Sequence, residues 1–257
     1  MRKIKIFLEY EGTRYHGWQY QPNKLSIQEV LENKLHKITK KKTRVIGSGR
    51  TDSGVHAEGQ VAHFQTVSPM QPREFLKALN SLLPPDIVVT RVEEAKPDFH
   101  AQKSATRKTY RYTILNRDHP SALLCRQAHY IATPTLKVSA MRRAARYLVG
   151  QKDFKAFQGS GCSAKTTVRE IFRASVAKQD DVIRITVDGS GFLKFMVRNI
   201  VGTLIEIGWG KWPPERMKEI LKSKNRRLAG PTAPARGLCL VKVVYGKQRP
   251  RKKATRG

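Results

Sequence analysis

The sequence has few cysteines and few acidic residues, and it contains no long apolar run. Its 257 residues include three cysteines, Cys125, Cys162 and Cys239, which are too few and too far apart for a disulfide framework or a cysteine-ligated metal site. No stretch approaches the roughly 20 apolar residues that a membrane-spanning helix needs. These shortages argue against a disulfide-stabilised secreted protein and a helical membrane protein, and they predict a cytoplasmic location.

Acidic side chains are strongly outnumbered by basic ones. The chain has 50 Lys and Arg against 20 Asp and Glu, a formal charge of +30. This excess is larger than solubility requires and is typical of proteins that bind a polyanion, because each phosphate contact releases condensed counterions. A membrane surface is the rival polyanion, but no basic amphipathic helix dominates the sequence. We therefore expect a nucleic-acid partner and no membrane.

The most distinctive stretch is a glycine-rich loop at residues 47–60, between strand-like residues 43–46 and 61–64. Its four glycines allow a ligand to come close to the backbone, and Arg50, Asp52 and His56 lie among them. A hairpin that only had to turn would need two to five residues. Loops longer than a turn demands are often functional, so this loop is a candidate site.

Three general motifs fail in this loop. Gly49 and Gly54 have the spacing of a phosphate-binding loop, but Val-His follows where Lys and Ser or Thr belong. The dinucleotide fingerprint fails because Asp52 replaces its third glycine. Residues 56–58 read H-A-E, as in the zinc deaminases, but the chain has no P-C-x-x-C. A nuclease that uses two metals is also disfavoured, since no carboxylate cluster stands out.

Residues 50–57 (R-T-D-S-G-V-H-A) closely resemble the signature R-T-D-A-G-V-H-A of the tRNA pseudouridine synthase A family. Serine at 53 in place of alanine is one small residue for another. Residues 99–112, 195–202 and 233–238 resemble further blocks of that family in the same order. The resemblance extends from about residue 4 to residue 245, nearly the whole chain.

The resemblance implies an isomerase that converts uridine to pseudouridine at positions 38–40, in the anticodon arm of tRNA. It also implies that no metal or cofactor is used, and that a homodimer binds tRNA in a cleft built from both subunits. The alternative is a non-catalytic RNA-binding protein or RNA chaperone on the same scaffold. Asp52 favours the enzyme interpretation, because a carboxylate repels phosphates and would not increase the RNA affinity of a protein that only binds.

The resemblance also assigns roles to five side chains. It makes Asp52 the essential carboxylate, either as nucleophile at the sugar or as the base that starts an elimination. Arg198 is expected to pair with Asp52, although a phosphate contact is the competing interpretation. The remaining three residues would contact the base: Tyr110 by stacking, Arg50 by holding the base out of the helical stack or by binding phosphate, and Leu238 as an apolar wall.

Two further residues lie in the resembling blocks. His56 is more often a satisfied loop histidine than a catalyst, and we assign it no chemistry. Gln102 stands where the family commonly has arginine, which removes one candidate RNA contact.

The element pattern predicts an α/β (α+β) protein of two ferredoxin-like, split βαβ halves. Ile4, Ile6 and Leu8 alternate with charged residues, which indicates a strand from the start and not a signal peptide. Ser26 and Pro72 mark helix starts. The order β-α-β-β-α-β in residues 1–103 recurs in residues 104–246.

We expect the two halves to share one continuous mixed, mainly antiparallel sheet flanked by helices. The segment at residues 11–22 is rich in aromatic residues, which either stack on bases or cover one end of the core. Residues 247–257 are basic, have little to bury and are predicted to be disordered.

Overall fold

Ten strands form one sheet in the computed structural model, which describes residues 1–246. The strands are β1 (Arg2–Tyr10), β2 (Ile46–Gly47), β3 (His56–Thr66), β4 (Ile87–Ala95), β5 (Ala105–Asn116), β6 (His129–Ile131), β7 (Gly150–Asp153), β8 (Val168–Gln179), β9 (Val182–Gly189) and β10 (Leu238–Tyr245). The helices are α1 (Ile27–Thr39), α2 (Pro72–Leu82), α3 (Val138–Arg146), α4 (Met196–Gly208) and α5 (Arg216–Ser223). The tail at residues 247–257, predicted to be disordered, lies outside the described residues.

The strand order is β4-β1-β3-β10-β5-β9-β8-β7, with β2 beside β3 and β6 beside β5. The first half therefore has the order β4-β1-β3-β2, and β10-β5-β9-β8 repeats that order in the second half. Both are split βαβ units, so the predicted fold class, including the continuous mixed sheet, is confirmed. The chain boundary between 103 and 104 stays a prediction.

Strand β10 joins the two halves. It runs parallel to the first residues of β3, with Cys239 opposite His56 and Leu240 opposite Ala57. Its other edge pairs antiparallel with β5 along most of its length. The beginning of β3, where the glycine-rich loop ends, therefore lies next to the beginning of β10.

The strand predicted at residues 43–46 is shorter than expected, because β2 contains Ile46 and Gly47 only. The backbone of Val45 bonds to helix α1 instead of to a neighbouring strand. Its N–H donates to Oε1 of Glu32 at 2.9 Å, and its carbonyl accepts from Nε2 of Gln28 at 3.1 Å. Because β2 pairs only with residues 62–63 of β3, the same strand can pair with β10 at residues 56–57.

The helices bury the apolar faces that the sequence indicates. The N-cap Ser26 accepts a hydrogen bond from the N–H of Glu29 at 3.3 Å, which satisfies one free donor of the first turn of α1. Helix α4 is buried almost along its whole length, in keeping with its largely apolar sequence. Within residues 1–246, no helix is long and apolar enough to cross a membrane.

Candidate active site

The segment at residues 11–18 packs against the glycine-rich loop and holds it by backbone hydrogen bonds. The N–H of Gly54 donates to the carbonyl of Tyr15 at 3.2 Å, and the N–H of Trp18 donates to the carbonyl of Thr51 at 3.1 Å. The side chains of Tyr15 and Trp18 are buried in the core. Of the two interpretations of this aromatic segment, the core role therefore holds for these two residues.

Two glycines in that segment permit the close approach. A Cβ atom on Gly12 would lie 2.1 Å from the carbonyl oxygen of Val55. A Cβ atom on Gly17, whose φ is +84°, would lie 2.3 Å from the carbonyl oxygen of Thr51. Since real Cβ atoms do not approach oxygen so closely, the loop can take this position only over glycine.

A buried polar network fixes the entrance of the loop. Gln60 is fully buried and accepts from the hydroxyl of Ser48 at 2.6 Å, while its Nε2 donates to the carbonyl of Gly49 at 3.0 Å. The hydroxyls of Tyr10 and Thr51 are hydrogen-bonded to each other at 2.9 Å. Because buried polar groups that lose a partner are costly, this network holds the residues just before Asp52 in one conformation.

His56 is a structural residue of the loop. Its Nδ1 accepts from the N–H of Gly12 at 3.0 Å, so its Nε2 carries the proton and donates to the carbonyl of Arg236 at 3.1 Å. Glu11 approaches Nδ1 to 3.3 Å, but a nitrogen that accepts from a backbone N–H has no proton for it. Both ring nitrogens are therefore occupied, which agrees with the absence of an assigned chemical role.

Asp52 pairs with Arg198 across the two halves of the fold. Nη1 of Arg198 is 3.3 Å from Oδ2 of Asp52, and its Nε donates to the carbonyl of Ala233 at 2.8 Å. The Asp52 side chain is 23% exposed and the Arg198 side chain is 15% exposed. The pair is therefore partly desolvated, yet solvent and ligand can reach the carboxylate.

Burial raises the pKa of the Asp52 carboxyl above its usual value, against the opposing effects of Arg198 and, more weakly, Lys194. Removal from water disfavours the charged form, whereas a nearby cation favours it. A carboxylate in this balance is a stronger base than a solvated aspartate. The pairing with Arg198 keeps its ionised form accessible.

All five side chains predicted from the sequence line one cleft of about 800 Å³: Arg50, Asp52, Tyr110, Arg198 and Leu238. The cleft is rich in cations, which are Lys24, Arg50, Lys108, Arg169, Lys194 and Arg198. Among the described residues that line it, Asp52 is the single carboxylate. The described lining of the cleft is thus basic and contains one acid.

Tyr110 and Leu238 form apolar walls of the cleft. Tyr110 is 8% exposed, and its ring meets the edge of Phe192 at 5.1 Å between centroids. Burial raises the pKa of Tyr110, with smaller effects of Tyr10 and Asp52, so its hydroxyl stays protonated at neutral pH. Its neighbour Tyr112 is fully buried and donates to the carbonyl of Pro234 at 2.9 Å, in keeping with the predicted core role.

Several cleft residues were not identified from the sequence. Phe192, Arg169 and Cys162 line the cleft, although they lie far along the chain from the signature loop. Lys108 had a detectable signal, because it lies two residues before Tyr110 and therefore on the same face of β5. Gln102, which replaces the common arginine, also lines the cleft.

In a comparison with known protein families, this chain matches the family described as "tRNA pseudouridine synthase". The match covers residues 6–102 and 144–246, which include the signature loop, Arg198 and Leu238. The gap between the two segments contains Tyr110 and the first strand of the second half.

Curated relatives are similar over nearly the whole chain. The "tRNA pseudouridine synthase A" of Geobacter sulfurreducens is 47% identical, that of Thermoanaerobacter sp. is 45% identical, and "tRNA pseudouridine synthase A 2" of Clostridium perfringens is 48% identical. Each alignment covers 95% of this chain and 100% of the relative. One chain of the solved structure "Crystal Structure of a Cbf5-Nop10-Gar1 Complex" aligns with 92% of this chain, which covers 57% of that one, at a TM-score of 0.33 and 12% identity, too slight a likeness to support an argument.

Proposed function

The chain belongs to the tRNA pseudouridine synthase family and is an isomerase that converts uridine in tRNA to pseudouridine, and on that premise we propose that Asp52 is its essential catalytic carboxylate. We further propose that its targets are uridines 38–40 of the anticodon arm. The observation that carries the role of Asp52 is its position as the single carboxylate among the described residues of a basic cleft, 3.3 Å from Arg198.

The electrostatics of the cleft favour an enzyme over a binding protein. Six cations attract the RNA backbone, and Asp52 opposes that attraction. A binding site would gain affinity by losing this carboxylate. Its retention, partly buried and paired with Arg198, is explained if the carboxylate acts on the nucleotide.

The reaction exchanges one bond of the ribose for another without a change of oxidation state. In one route, a carboxylate oxygen of Asp52 bonds to the sugar carbon as the bond to N1 breaks, and N1 keeps the electron pair. The base then rotates, C5 bonds to the sugar carbon as the carboxylate leaves, and the C5 proton is replaced by one on N1. In the other route, Asp52 removes a proton from the neighbouring sugar carbon, and a sugar double bond forms as the bond to N1 breaks and N1 keeps the electron pair. After the base rotates, C5 adds to this double bond, Asp52 returns the proton to the sugar, and the C5 proton is again replaced by one on N1.

Rotation of the base requires a site that holds it outside the helical stack. Leaving the stack costs a few kcal/mol, which contacts with the protein must offset. Tyr110 and Leu238 provide apolar surfaces on the cleft wall, and stacking on an aromatic ring contributes about 1–3 kcal/mol per base. The family resemblance also suggests that Tyr110 helps to remove the C5 proton, and we include this role in the proposal.

Arg50 is proposed to replace the target base in the stack. It is an exposed residue that lines the cleft two residues before Asp52. A guanidinium is planar and stacks on bases as well as binding phosphate, so it suits the space that the flipped base leaves.

We also propose that the protein works as a cytoplasmic homodimer whose subunits both contribute to the tRNA cleft. The support for this proposal is the family resemblance together with the basic character of the cleft.

Tritium release tests the proposal directly. Unmodified tRNA that carries tritium at C5 of its uridines is incubated with the wild type and with Asp52→Asn, and tRNA binding is measured in parallel. We expect release by the wild type, at least 10³-fold slower release by Asp52→Asn, and similar tRNA affinity for both. Mapping of the modified positions then tests the assignment to uridines 38–40.

Asp118→Asn is the matched control. The Asp118 side chain is 87% exposed and lies outside the residues that line the cleft, so this variant should release tritium at the wild-type rate. Full activity of Asp52→Asn would overturn the role of Asp52. If the wild type binds tRNA tightly but releases no tritium, the result would favour the alternative of a non-catalytic RNA-binding protein.

A further inference from the structure

One part of the cleft wall carries two cations that the proposed chemistry does not use. Lys108 comes from β5 and Arg169 from β8. Neither forms a salt bridge with a described carboxylate. Two like charges that face one cavity repel each other, and this repulsion is relieved when an anion binds between them.

Lys108 is held at the entrance of the signature loop. Its Nζ donates to the carbonyl of Ser48 at 2.7 Å, and it lies 3.0 Å from the position that a Cβ of Gly49 would take. An ammonium has three donors, and this carbonyl uses one of them. Burial, together with the charge of Arg169, lowers the pKa of Lys108 to about 8, because both disfavour the charged ammonium.

Arg169 lies close to Lys108 in the sheet, because Lys108 pairs with Gly189 of β9 and Gly189 pairs with Ile171, two residues after Arg169. Nη1 donates to the carbonyls of Thr166 and Val168, at 2.9 and 2.6 Å, which fixes the side chain along its own strand. Nε and Nη2 have no hydrogen-bond partner among residues 1–246. Its Cδ and Nε lie 3.8 Å from the position that a Cβ of Gly191 would take, so Gly191 borders this side chain.

We propose that Lys108 and Arg169 form an anion subsite that binds one phosphodiester group of the tRNA strand in the cleft. The inference rests on the proposed function only in that the RNA occupies this cleft. A phosphodiester has one negative charge and two free oxygens, so one oxygen can accept from the ammonium and the other from the guanidinium. Lys108 shares a strand face with Tyr110, which places this phosphate within one or two nucleotides of the base that Tyr110 contacts.

The subsite also has a positioning role. Because Lys108 donates to Ser48, the bound phosphate and the signature loop are connected through a single ammonium. Binding of the correct strand therefore stabilises the loop that carries Asp52.

Scanning with neutral linkages tests the subsite. Synthetic anticodon stem-loops are made with one methylphosphonate at a time, and their affinities are measured for full-length protein in an Asp52→Asn background, which prevents turnover. We expect one linkage near the target uridine whose neutralisation weakens binding about 10-fold. In Lys108→Met and in Arg169→Gln, neutralising the same linkage should have no further effect.

Lys24→Met is the matched control, because Lys24 is an exposed lysine that lines the same cleft. It should weaken binding but leave the penalty at the selected linkage intact. Thermal unfolding shows whether Lys108→Met has disturbed the loop, and Lys108→Arg, which keeps the charge, should restore the penalty.

The inference is overturned if no linkage loses its penalty in Lys108→Met and Arg169→Gln while both variants fold and bind RNA. It is also overturned if Lys24→Met removes the same penalty. Either result leaves tritium release by the wild type unaffected, so failure of the subsite is distinguishable from failure of the isomerase assignment.

Discussion

Arg198 lies 146 residues after Asp52 in the chain, and its Nη1 is 3.3 Å from the Asp52 carboxylate. Asp52 belongs to the loop before β3 in the first half of the fold, and Arg198 belongs to α4 in the second half. The proposed catalytic carboxylate and its counterion therefore meet only when the two halves are packed together.

Replacing Arg198 should move the acid limb of the pH–rate profile. Burial raises the pKa of Asp52 and Arg198 opposes that increase, so Arg198→Met should raise this pKa further. The single-turnover rate would then fall at a higher pH than in the wild type as the solution is acidified. Rates measured from pH 5 to pH 9 provide the test, with Arg198→Lys as the charge-retaining comparison. An unchanged acid limb in Arg198→Met would contradict the pairing.

Two substitutions at Tyr110 should separate stacking from proton transfer. Tyr110→Phe keeps the ring, so RNA affinity should be retained while the rate falls about 10²-fold if the hydroxyl assists removal of the C5 proton. Tyr110→Ala should weaken RNA binding by about 1–3 kcal/mol, since it removes the stacking surface. The comparison is Tyr112→Phe, which removes a hydrogen bond to Pro234 and should cost about 1 kcal/mol of stability without changing RNA affinity. Wild-type turnover by Tyr110→Phe would restrict Tyr110 to stacking.

Gly12→Ala should displace the signature loop. Its new methyl group would collide with the carbonyl of Val55, and neither a methyl group nor a backbone carbonyl has a rotamer through which it could move away. We expect the melting temperature to fall by roughly 5 °C or more and tritium release to be lost with it. Gly191→Ala is the control, because the nearest atom to its Cβ would be 3.8 Å away. Equal stability of the two variants would show that the loop is not held in this way.

The affinity for RNA should decline as the pH rises past about 8. In the free protein Lys108 is protonated below its lowered pKa of about 8 and loses its charge above it. A phosphate binds the charged form, so at higher pH the complex must take up a proton and its affinity falls. Titration from pH 7 to pH 9 should show this decline in the wild type and not in Lys108→Met. A decline of the same size in both proteins would assign it to other groups.

Most of the fold was predictable from local patterns. The apolar stripes, the cap at Ser26, the proline at 72 and the apolar run of α4 all identify elements that the structure contains. Strands β6 and β7 were missed, because His129–Ile131 is very short and Gly150–Asp153 lacks a β-forming pattern. They are strands because the neighbouring edges of β5 and β8 supply their hydrogen bonds, which no local signal encodes.

The residues of the candidate site were predictable from the sequence only where they lie in recognisable motifs. Arg50 and Asp52 lie in one recognisable block, and Arg198, Tyr110 and Leu238 in others, and all five line the cleft. By contrast, Arg169 and Phe192 reach the cleft through the folding of β8 and of the segment after β9. Their position depends on packing between distant parts of the chain, for which sequence spacing gives no indication.

Strand β10 is central in the sheet but last in the chain, which has a consequence for when the active site is complete during synthesis. A chain leaves the ribosome from its N-terminus, so β10 is made after every other described strand. Until it is in place, the start of β3 is paired with β1 on one edge only, and Leu238 is missing from the cleft wall. We therefore expect isomerisation to begin only when β10 has paired with both β3 and β5 and so joined the two halves.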